Sequence, residues 1–385
     1  MASTKKTQNN RGKKVTSKSI NRFSPIYFWR QLKNWWHKKL WHKIVIIICS
    51  VAIVFIGGMY GVAQWYIYSQ RNKPVEIGAT FISSYAKDLG VDPVETLSAV
   101  IHDLGVKHLR LVSYWDEIEK TQGQYDFSNL DWQMKMAESN NVGVSLSLGL
   151  RQPRWPECHM PNWAKGEPKD IWYGQLNTFI SKVIDRYKSS PALESYQLEN
   201  EYFLRAFGEC YDFSRDRLVS EANLVKKDDP NHILIITRSN NGIGLPIGRP
   251  TPDLFGVSIY KRVWDKTITH RYFEYPLPAW FYASLAGGGK IVTGKDLIVH
   301  ELQSEAWTPV GMQTKNAPVE ELYKSMDPAR LRDRIQYAKA TGMKQIDLWG
   351  VEWWYQMKVK RGEPGLWNTA KQSIAETAAQ NAKLR

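Results

Sequence analysis

Two glutamates stand two positions apart in the segment SYQLENEYF, which covers residues 195–203. The first four residues of this segment are rich in β-forming types, so Glu199, Asn200 and Glu201 fall at the end of a predicted strand. A further glutamate, Glu301, comes two residues after the apolar run Leu297–Val299 in DLIVHELQSEAW. A buried carboxylate is costly unless its charge is used. Two facing carboxylates, one protonated and one ionised, are what hydrolysis of a glycosidic bond requires.

Each of these glutamates, taken alone, fits an ordinary surface loop, and only the pair argues for chemistry. Glu305 lies four residues beyond Glu301 and is a rival for the role of the ionised carboxylate. We favour Glu301 because it adjoins the strand, where a rigid scaffold can hold a side chain in place. The pair predicts one protonated and one ionised carboxylate in a shared site, with Glu201 and Glu301 as the candidates.

The elements that position these residues alternate along the chain. From residue 77, short apolar strands alternate with amphipathic helices, which is typical of βα units and a parallel sheet. An open doubly wound sheet is the alternative, but its glycine-rich turn is missing from ATFISSYAKD after the first strand. Eight units in this length favour a (β/α)8 barrel, an α/β fold. The predicted strands are Ile77–Ile82, His108–Ser113, Gly143–Gly149, Glu194–Asn200, His232–Thr237, Leu254–Ile259, Asp296–Glu301 and Gln345–Gly350.

The segment QLENEYF resembles the Asn-Glu signature at the fourth strand of clan-A retaining glycoside hydrolases, with a pattern similar to family 5 and the cellulases. The run VKHLRLVSYWDEIEKTQGQYDFSNLDW is similar to the second strand of that clan and the segment after it. The resemblance covers roughly residues 77–360. It implies that Glu201 is the acid/base and that Asn200 contacts the 2-hydroxyl of the sugar. It also implies a buried Arg110, a Tyr260 that touches the nucleophile, and a Trp349 that floors the sugar subsite.

Arg110 also has a physical role independent of the resemblance. A guanidinium near Glu301 would keep that carboxylate ionised, and the charge on Glu301 would raise the pKa of Glu201. A buried arginine that satisfies a core carboxylate is the plainer interpretation. In the loop LRQPRWPECHMPNWA, Trp155 and His159 are candidates for a sugar platform, although loop packing explains either equally well. His159 and His300 have no carboxylate or cysteine partners at ligand spacing, so we predict no metal site and no cofactor.

The excess of positive over negative charge is confined to the beginning of the chain. Lys and Arg number 52 against 38 Asp and Glu, yet no acidic residue precedes Glu76. The remainder is balanced and lacks the basic surface that nucleic acid requires, so we expect no nucleic-acid partner. The uncharged run from Ile44 to Ala63 is long enough to cross a bilayer. A cleaved signal peptide is the alternative.

These observations predict a domain order. Residues 1–43 form a basic cytoplasmic tail, residues 44–68 a single transmembrane helix, residues 69–76 a stalk and residues 77–385 the catalytic barrel. The positive-inside rule places the barrel outside the cell membrane. There Cys158 and Cys210 are able to form a disulfide, and their loops should be neighbours in a barrel.

The predicted activity is that of an outward-facing glycosidase acting on a β-linked oligo- or polysaccharide. A barrel that binds glycans without cleaving them, and a transglycosylase using the same two glutamates, are the alternatives. The sugar, the linkage and the oligomeric state do not follow from the sequence.

Overall fold

The computed structural model describes residues 25–36, 39–205, 207–210, 212–241 and 244–384. Most of the predicted basic tail, residues 1–24 and 37–38, lies outside the described residues. The chain divides into two compact units, Met1–Gly58 and Met59–Arg385. The second unit contains the predicted catalytic domain and begins earlier than residue 77.

Within the described residues, eight parallel strands close into a barrel, which confirms the predicted fold. The strands follow one another around the barrel in chain order, and the last strand pairs with the first through Ile77–Ile346 and Ala79–Leu348. Two further strands form an antiparallel hairpin. The barrel strands are β1 (Glu76–Thr80), β2 (His108–Val112), β3 (Gly143–Leu148), β4 (Leu193–Leu198), β5 (Ile233–Asn240), β6 (Leu254–Ile259), β9 (Leu297–Gln303) and β10 (Gln345–Trp349); the hairpin strands are β7 (Arg262–Trp264) and β8 (Tyr272–Glu274).

Helices surround the barrel and begin at recognisable signals. Asp92 and Asp327 cap α4 and α11 by accepting a hydrogen bond from the third residue beyond, and each is followed by a proline, whose fixed φ suits a first turn. The helices are α1 (Pro25–Trp36), α2 (Leu40–Gln70), α3 (Ser83–Asp88), α4 (Pro93–His102), α5 (Trp115–Ile118), α6 (Ser128–Ser139), α7 (Lys169–Tyr187), α8 (Arg215–Asp228), α9 (Ala279–Thr293), α10 (Val319–Tyr323), α11 (Pro328–Ala340), α12 (Val351–Arg361) and α13 (Gly365–Ala382).

The long helix α2 contains the predicted membrane span. It is long and apolar enough to cross a bilayer by length and composition, a test that a signal sequence would also pass. The helix does not stop at residue 68 but continues to Gln70, whose side chain is buried. Its last turns, which belong to the second unit, bury Ala63 and Tyr66. The segment predicted as a stalk therefore begins as helix and is partly buried.

The elements that were not predicted from the sequence include a hairpin and a helix near the end of the barrel strands. The hairpin β7–β8 occupies the connection between β6 and α9, and α12 begins directly after β10. Both follow the carboxyl end of a barrel strand, which is the end where active sites of this architecture are built. Buried side chains such as those of Arg110 and Gln197 meet inside the barrel, so the carboxyl ends of the strands form the floor of any site built there.

Candidate active site

A cavity of about 870 Å³ opens at the carboxyl ends of the barrel strands. Glu201 and Glu301 both line it, and both are buried, with 6% and 3% of their surface exposed. The structure thus brings the two predicted carboxylates into one cavity. Aromatic and polar side chains complete the wall: Arg154, Trp155, Glu157, Phe207, Tyr260, Trp264, Glu305, Trp307 and Trp349.

Glu301 lies within β9, and both of its oxygens have a donor. Arg110 Nη1 approaches Glu301 Oε1 to 2.8 Å, and the Tyr260 hydroxyl donates to Oε2 at 2.7 Å. Burial, together with the charges of Glu301 and Glu201, raises the pKa of Tyr260 well above its ordinary value, so the phenol remains a donor. These two contacts hold the carboxylate of Glu301 in one orientation.

Arg110 also connects Glu301 to the residue that precedes Glu201. Its Nη2 donates to Asn200 Oδ1 at 2.8 Å, and its Nε donates to Gln197 Oε1 at 2.6 Å. The guanidinium is fully buried, and its planar set of donors suits several acceptors in fixed positions. Arg110 therefore fixes the position of Asn200, next to Glu201, relative to Glu301.

The turn after β4 has an unusual backbone. Glu199 and Glu201 have positive φ angles, 54° and 43°, which non-glycine residues rarely adopt. Such strain persists only where the surroundings hold it. Here the contacts of Glu199 stabilise this backbone conformation. Its carboxylate accepts hydrogen bonds from the amides of Leu150 and Arg151 and pairs with Arg217 Nη1 at 2.9 Å. The charge of Glu199 is thus used to fasten the turn that presents Asn200 and Glu201.

Glu157 is a third carboxylate in the cavity wall that sequence reasoning missed. It accepts a hydrogen bond from Asn200 Nδ2 at 3.1 Å, and its Oε2 lies 3.6 Å from Arg151 Nη2. Burial raises the pKa of Glu157 to about 8, with further contributions from the charges of Glu201 and Glu301 and opposition from Arg151. No spacing rule identifies it, because it becomes part of the site only through the path of the loop after β3.

Glu305, the rival nucleophile, lines the same cavity but is engaged elsewhere. Arg154 Nη2 pairs with Glu305 Oε2 at 2.8 Å, and the Tyr85 hydroxyl donates to Oε1. The Arg154 guanidinium lies 3.3 Å from the ring centroid of Tyr85 and 4.6 Å from that of Trp349. Arg154, like Glu157, was not predicted. Glu305 is therefore bound to an arginine and a tyrosine at the wall, away from the link between Arg110 and Asn200.

The side chains predicted to bind the sugar do not all line the same cavity. Trp349 is buried and lines the cavity, and Trp155 lines it with 58% of its surface exposed. His159 is instead stacked on Tyr114, with ring centroids 3.6 Å apart, and lines a neighbouring cavity of about 560 Å³. Trp155 also lines that second cavity, so it stands between the two.

A disulfide joins Cys158 to Cys210, across the loops that follow β3 and β4. The bridge adjoins Glu157 and restrains the loop that carries Trp155. It closes a segment with a sequence separation of 52 residues, so it restricts the unfolded chain considerably. Cys49 is the free cysteine of the described residues.

Replacing both bridge cysteines by serine should lower the free energy of unfolding by roughly 2–4 kcal/mol, because the unfolded chain regains its freedom. Chemical denaturation of the Cys158→Ser/Cys210→Ser variant, beside a Cys49→Ser control that leaves the bridge intact, measures this. An unchanged midpoint, together with three reactive thiols (Cys49 included) in the denatured, unreduced parent, would contradict it.

Comparison with known proteins supports the fold. No family model matches the chain. Over 126 residues the chain is 28% identical to the β-galactosidase LacZ of Heyndrickxia coagulans. The matched region covers 28% of this chain and 19% of that protein. The chain therefore spans about a fifth of the length of this curated relative.

Several solved structures share the architecture. A GH42 β-galactosidase from G. stearothermophilus has a TM-score of 0.55 at 10% identity, over 80% of this chain and 57% of that chain. A GH5_18 protein from Bifidobacterium longum, solved with Manβ1-4GlcNAc, has a TM-score of 0.54 at 10% identity, over 78% of each chain. An exo-β-1,4-mannosidase from an Opitutaceae bacterium has a TM-score of 0.52 at 14% identity, over 79% of this chain and 60% of that chain.

At these identities the likeness shows the fold alone. The fold is the (β/α)8 barrel found in clan-A glycoside hydrolases, the class that the sequence resembles.

Proposed function

We propose that the chain is a glycoside hydrolase that cleaves β-linked glycans by double displacement. Glu201 is the acid/base and Glu301 the nucleophile. The observation that carries this proposal is the convergence of both carboxylates on one cavity, with Arg110 tying Glu301 to Asn200. A site that only binds glycans has no need for a buried acid/base.

The arrangement assigns a task to each residue. Glu201 protonates the leaving oxygen while Glu301 attacks the anomeric carbon, which gives a covalent glycosyl ester. Glu201, now ionised, takes a proton from water, and that water displaces Glu301. Arg110 and Tyr260 hold Glu301 in place for the attack. Trp349 and Trp155 supply apolar faces against which a sugar ring packs.

This mechanism predicts that the product keeps the anomeric configuration of the substrate. Proton NMR of early time points, with the full-length chain in detergent and an aryl β-glycoside, should show the β-anomer first. A first product of α configuration would contradict the double displacement. Complete absence of both hydrolysis and transfer across a panel of aryl β-glycosides and β-glycan oligosaccharides would favour a glycan-binding role.

We also propose that the chain is anchored in the cell membrane through the apolar helix α2, with its amino terminus cytoplasmic and the barrel outside. The apolar helix α2 and the acid-free basic segment before it support this orientation. The disulfide between Cys158 and Cys210 also supports it, because such bonds persist in oxidising compartments outside the cytoplasm.

Protease added to intact cells or spheroplasts should digest the barrel and leave the amino-terminal tail protected. An epitope tag at each terminus, followed by immunoblotting, distinguishes the two segments. Digestion of the barrel only after lysis would contradict the proposed topology.

A further inference from the structure

The last turns of α2 lie along α9 within the catalytic unit, Met59–Arg385. The ring of Tyr60 contacts that of Trp280 at the beginning of α9, with centroids 5.8 Å apart. Farther along, Val62 and Tyr66 pack on Gly287. These contacts show that the two helices run in the same direction.

The end of α2 confirms this direction. Gln70 Nε2 donates to Asp296 Oδ1 at 3.1 Å, and Asp296 directly precedes β9. Asp296 therefore lies at the amino end of the barrel strands, opposite the cavity. The segment from Tyr60 to Gln70 covers roughly 15 Å at about 1.5 Å per residue, about two thirds of the length of the 15-residue helix α9. The chain thus joins the catalytic unit at the mouth side and runs down to the opposite side.

Gly287 makes this docking possible. A Cβ atom at Gly287 would lie 2.8 Å from Val62 Cγ1 and 3.0 Å from the Val62 carbonyl oxygen. The neighbouring Gly288 has no heavy atom within 4 Å of the same position. The close approach of α2 to α9 therefore depends on one glycine of the pair and not on the other.

The hairpin β7–β8 leads into α9 and belongs to the mouth. Thr267, Ile268 and Phe273 line the cavity that contains Glu201 and Glu301. Ile268 has 85% of its surface exposed, the highest exposure of any large apolar side chain in the described residues. Lys266, His270 and Arg271 beside it are also exposed. An apolar tip with basic neighbours is suited to a bilayer surface that carries anionic headgroups.

We propose that the mouth of the barrel faces the membrane in which the chain is anchored, and that its substrate is a β-glycan carried on a lipid of that membrane. This inference rests on the proposed function and on the proposed anchor. The reason is geometric: a chain that leaves the catalytic unit at Tyr60 toward a bilayer brings the mouth side nearest to that bilayer. The hairpin tip then contacts the headgroups, and glycans standing on the same surface reach the cavity.

Fluorescence quenching tests the orientation. The full-length chain, in a Cys49→Ser background, is labelled either through Ile268→Cys at the mouth or through Lys188→Cys. Lys188 lies between the end of α7 and the beginning of β4, which places it at the side opposite the mouth. It is then reconstituted in vesicles of phosphatidylcholine and phosphatidylglycerol that carry a headgroup nitroxide. The label at position 268 should be quenched severalfold more than that at position 188. Equal quenching, or stronger quenching at position 188, would overturn the proposed orientation.

The neighbouring residues Gly287 and Gly288 provide a matched pair of variants. Gly287→Val should separate α2 from α9 and reduce the difference in quenching between the two labels, whereas Gly288→Val, with the same loss of glycine, should preserve it. A difference that survives Gly287→Val unchanged would show that the docked helix does not orient the mouth.

Hydrolysis of a lipid-linked probe tests the substrate. The probe is a long-chain alkyl β-glycoside bearing the sugar that the aryl glycoside panel identifies. The anchored chain should hydrolyse the probe in its own vesicles at least severalfold faster than the same probe in separate, protein-free vesicles. Equal rates would overturn the inference while leaving the glycosidase activity intact. Failure on all soluble β-glycosides would instead reject the proposed function, and the quenching result would still decide the orientation.

Discussion

Replacing Glu301 by alanine should abolish turnover of aryl β-glycosides, with a fall in kcat on the order of 10⁴ or more, because no covalent intermediate is formed without its carboxylate. Added azide should restore part of the activity by occupying the space that the carboxylate leaves. The product should then be the α-glycosyl azide, since azide attacks from the face that Glu301 used. Kinetics with and without azide, and NMR of the product, measure both effects.

The matched control is Glu305→Ala. Glu305 lines the same cavity and is bound by an arginine and a tyrosine, as Glu301 is, but it lacks the link to Asn200. Its removal should therefore preserve the covalent step. If Glu305→Ala abolished turnover and Glu301→Ala remained active, the nucleophile would be Glu305.

Replacing Glu201 by alanine should have an effect that depends on the leaving group. General acid catalysis contributes about 10²–10⁴ in rate, so substrates with poor leaving groups should lose that amount. A dinitrophenyl β-glycoside needs no protonation and should still form the glycosyl-enzyme. Because the second step then lacks its base, the intermediate should accumulate, and mass spectrometry of the intact protein should detect it on Glu301.

Azide should also rescue the Glu201→Ala variant, but with the opposite stereochemistry. Here azide replaces water in the second step and gives the β-glycosyl azide. The contrast between the two azide products separates the two roles within one experiment. The same azide anomer from both variants would contradict the assignment of Glu201 and Glu301.

The barrel was predictable from the sequence because its signal is local. Alternating apolar strands and amphipathic helices recur along the chain, and β6 begins and ends where the pattern placed it, at Leu254 and Ile259. The hairpin β7–β8 was not predictable on the same grounds. Its strands are three residues each, too short to show a period, and they pair only because the loop between β6 and α9 folds back on itself.

The position of a candidate site residue was predictable where that residue lies in a strand or shortly after one. Arg110, Glu201, Tyr260 and Glu301 lie in or just after strands, so strand order sufficed to bring them together. Glu157 and Arg154 belong to the long loop after β3, and their positions depend on the path of that loop. His159 belongs to the same loop and stacks on Tyr114 instead of facing Glu201 and Glu301.

The barrel, the apolar helix and the two carboxylates were predictable from the chain alone, because each depends on local pattern or on strand order. The groups that those carboxylates touch were not. Folding paired Glu301 with Arg110 and Tyr260, and it engaged Glu305 with Arg154. Folding also set the direction in which the last turns of α2 run along α9. Such contacts join residues far apart in the chain, and packing among many side chains selects them, so no short stretch of sequence records them.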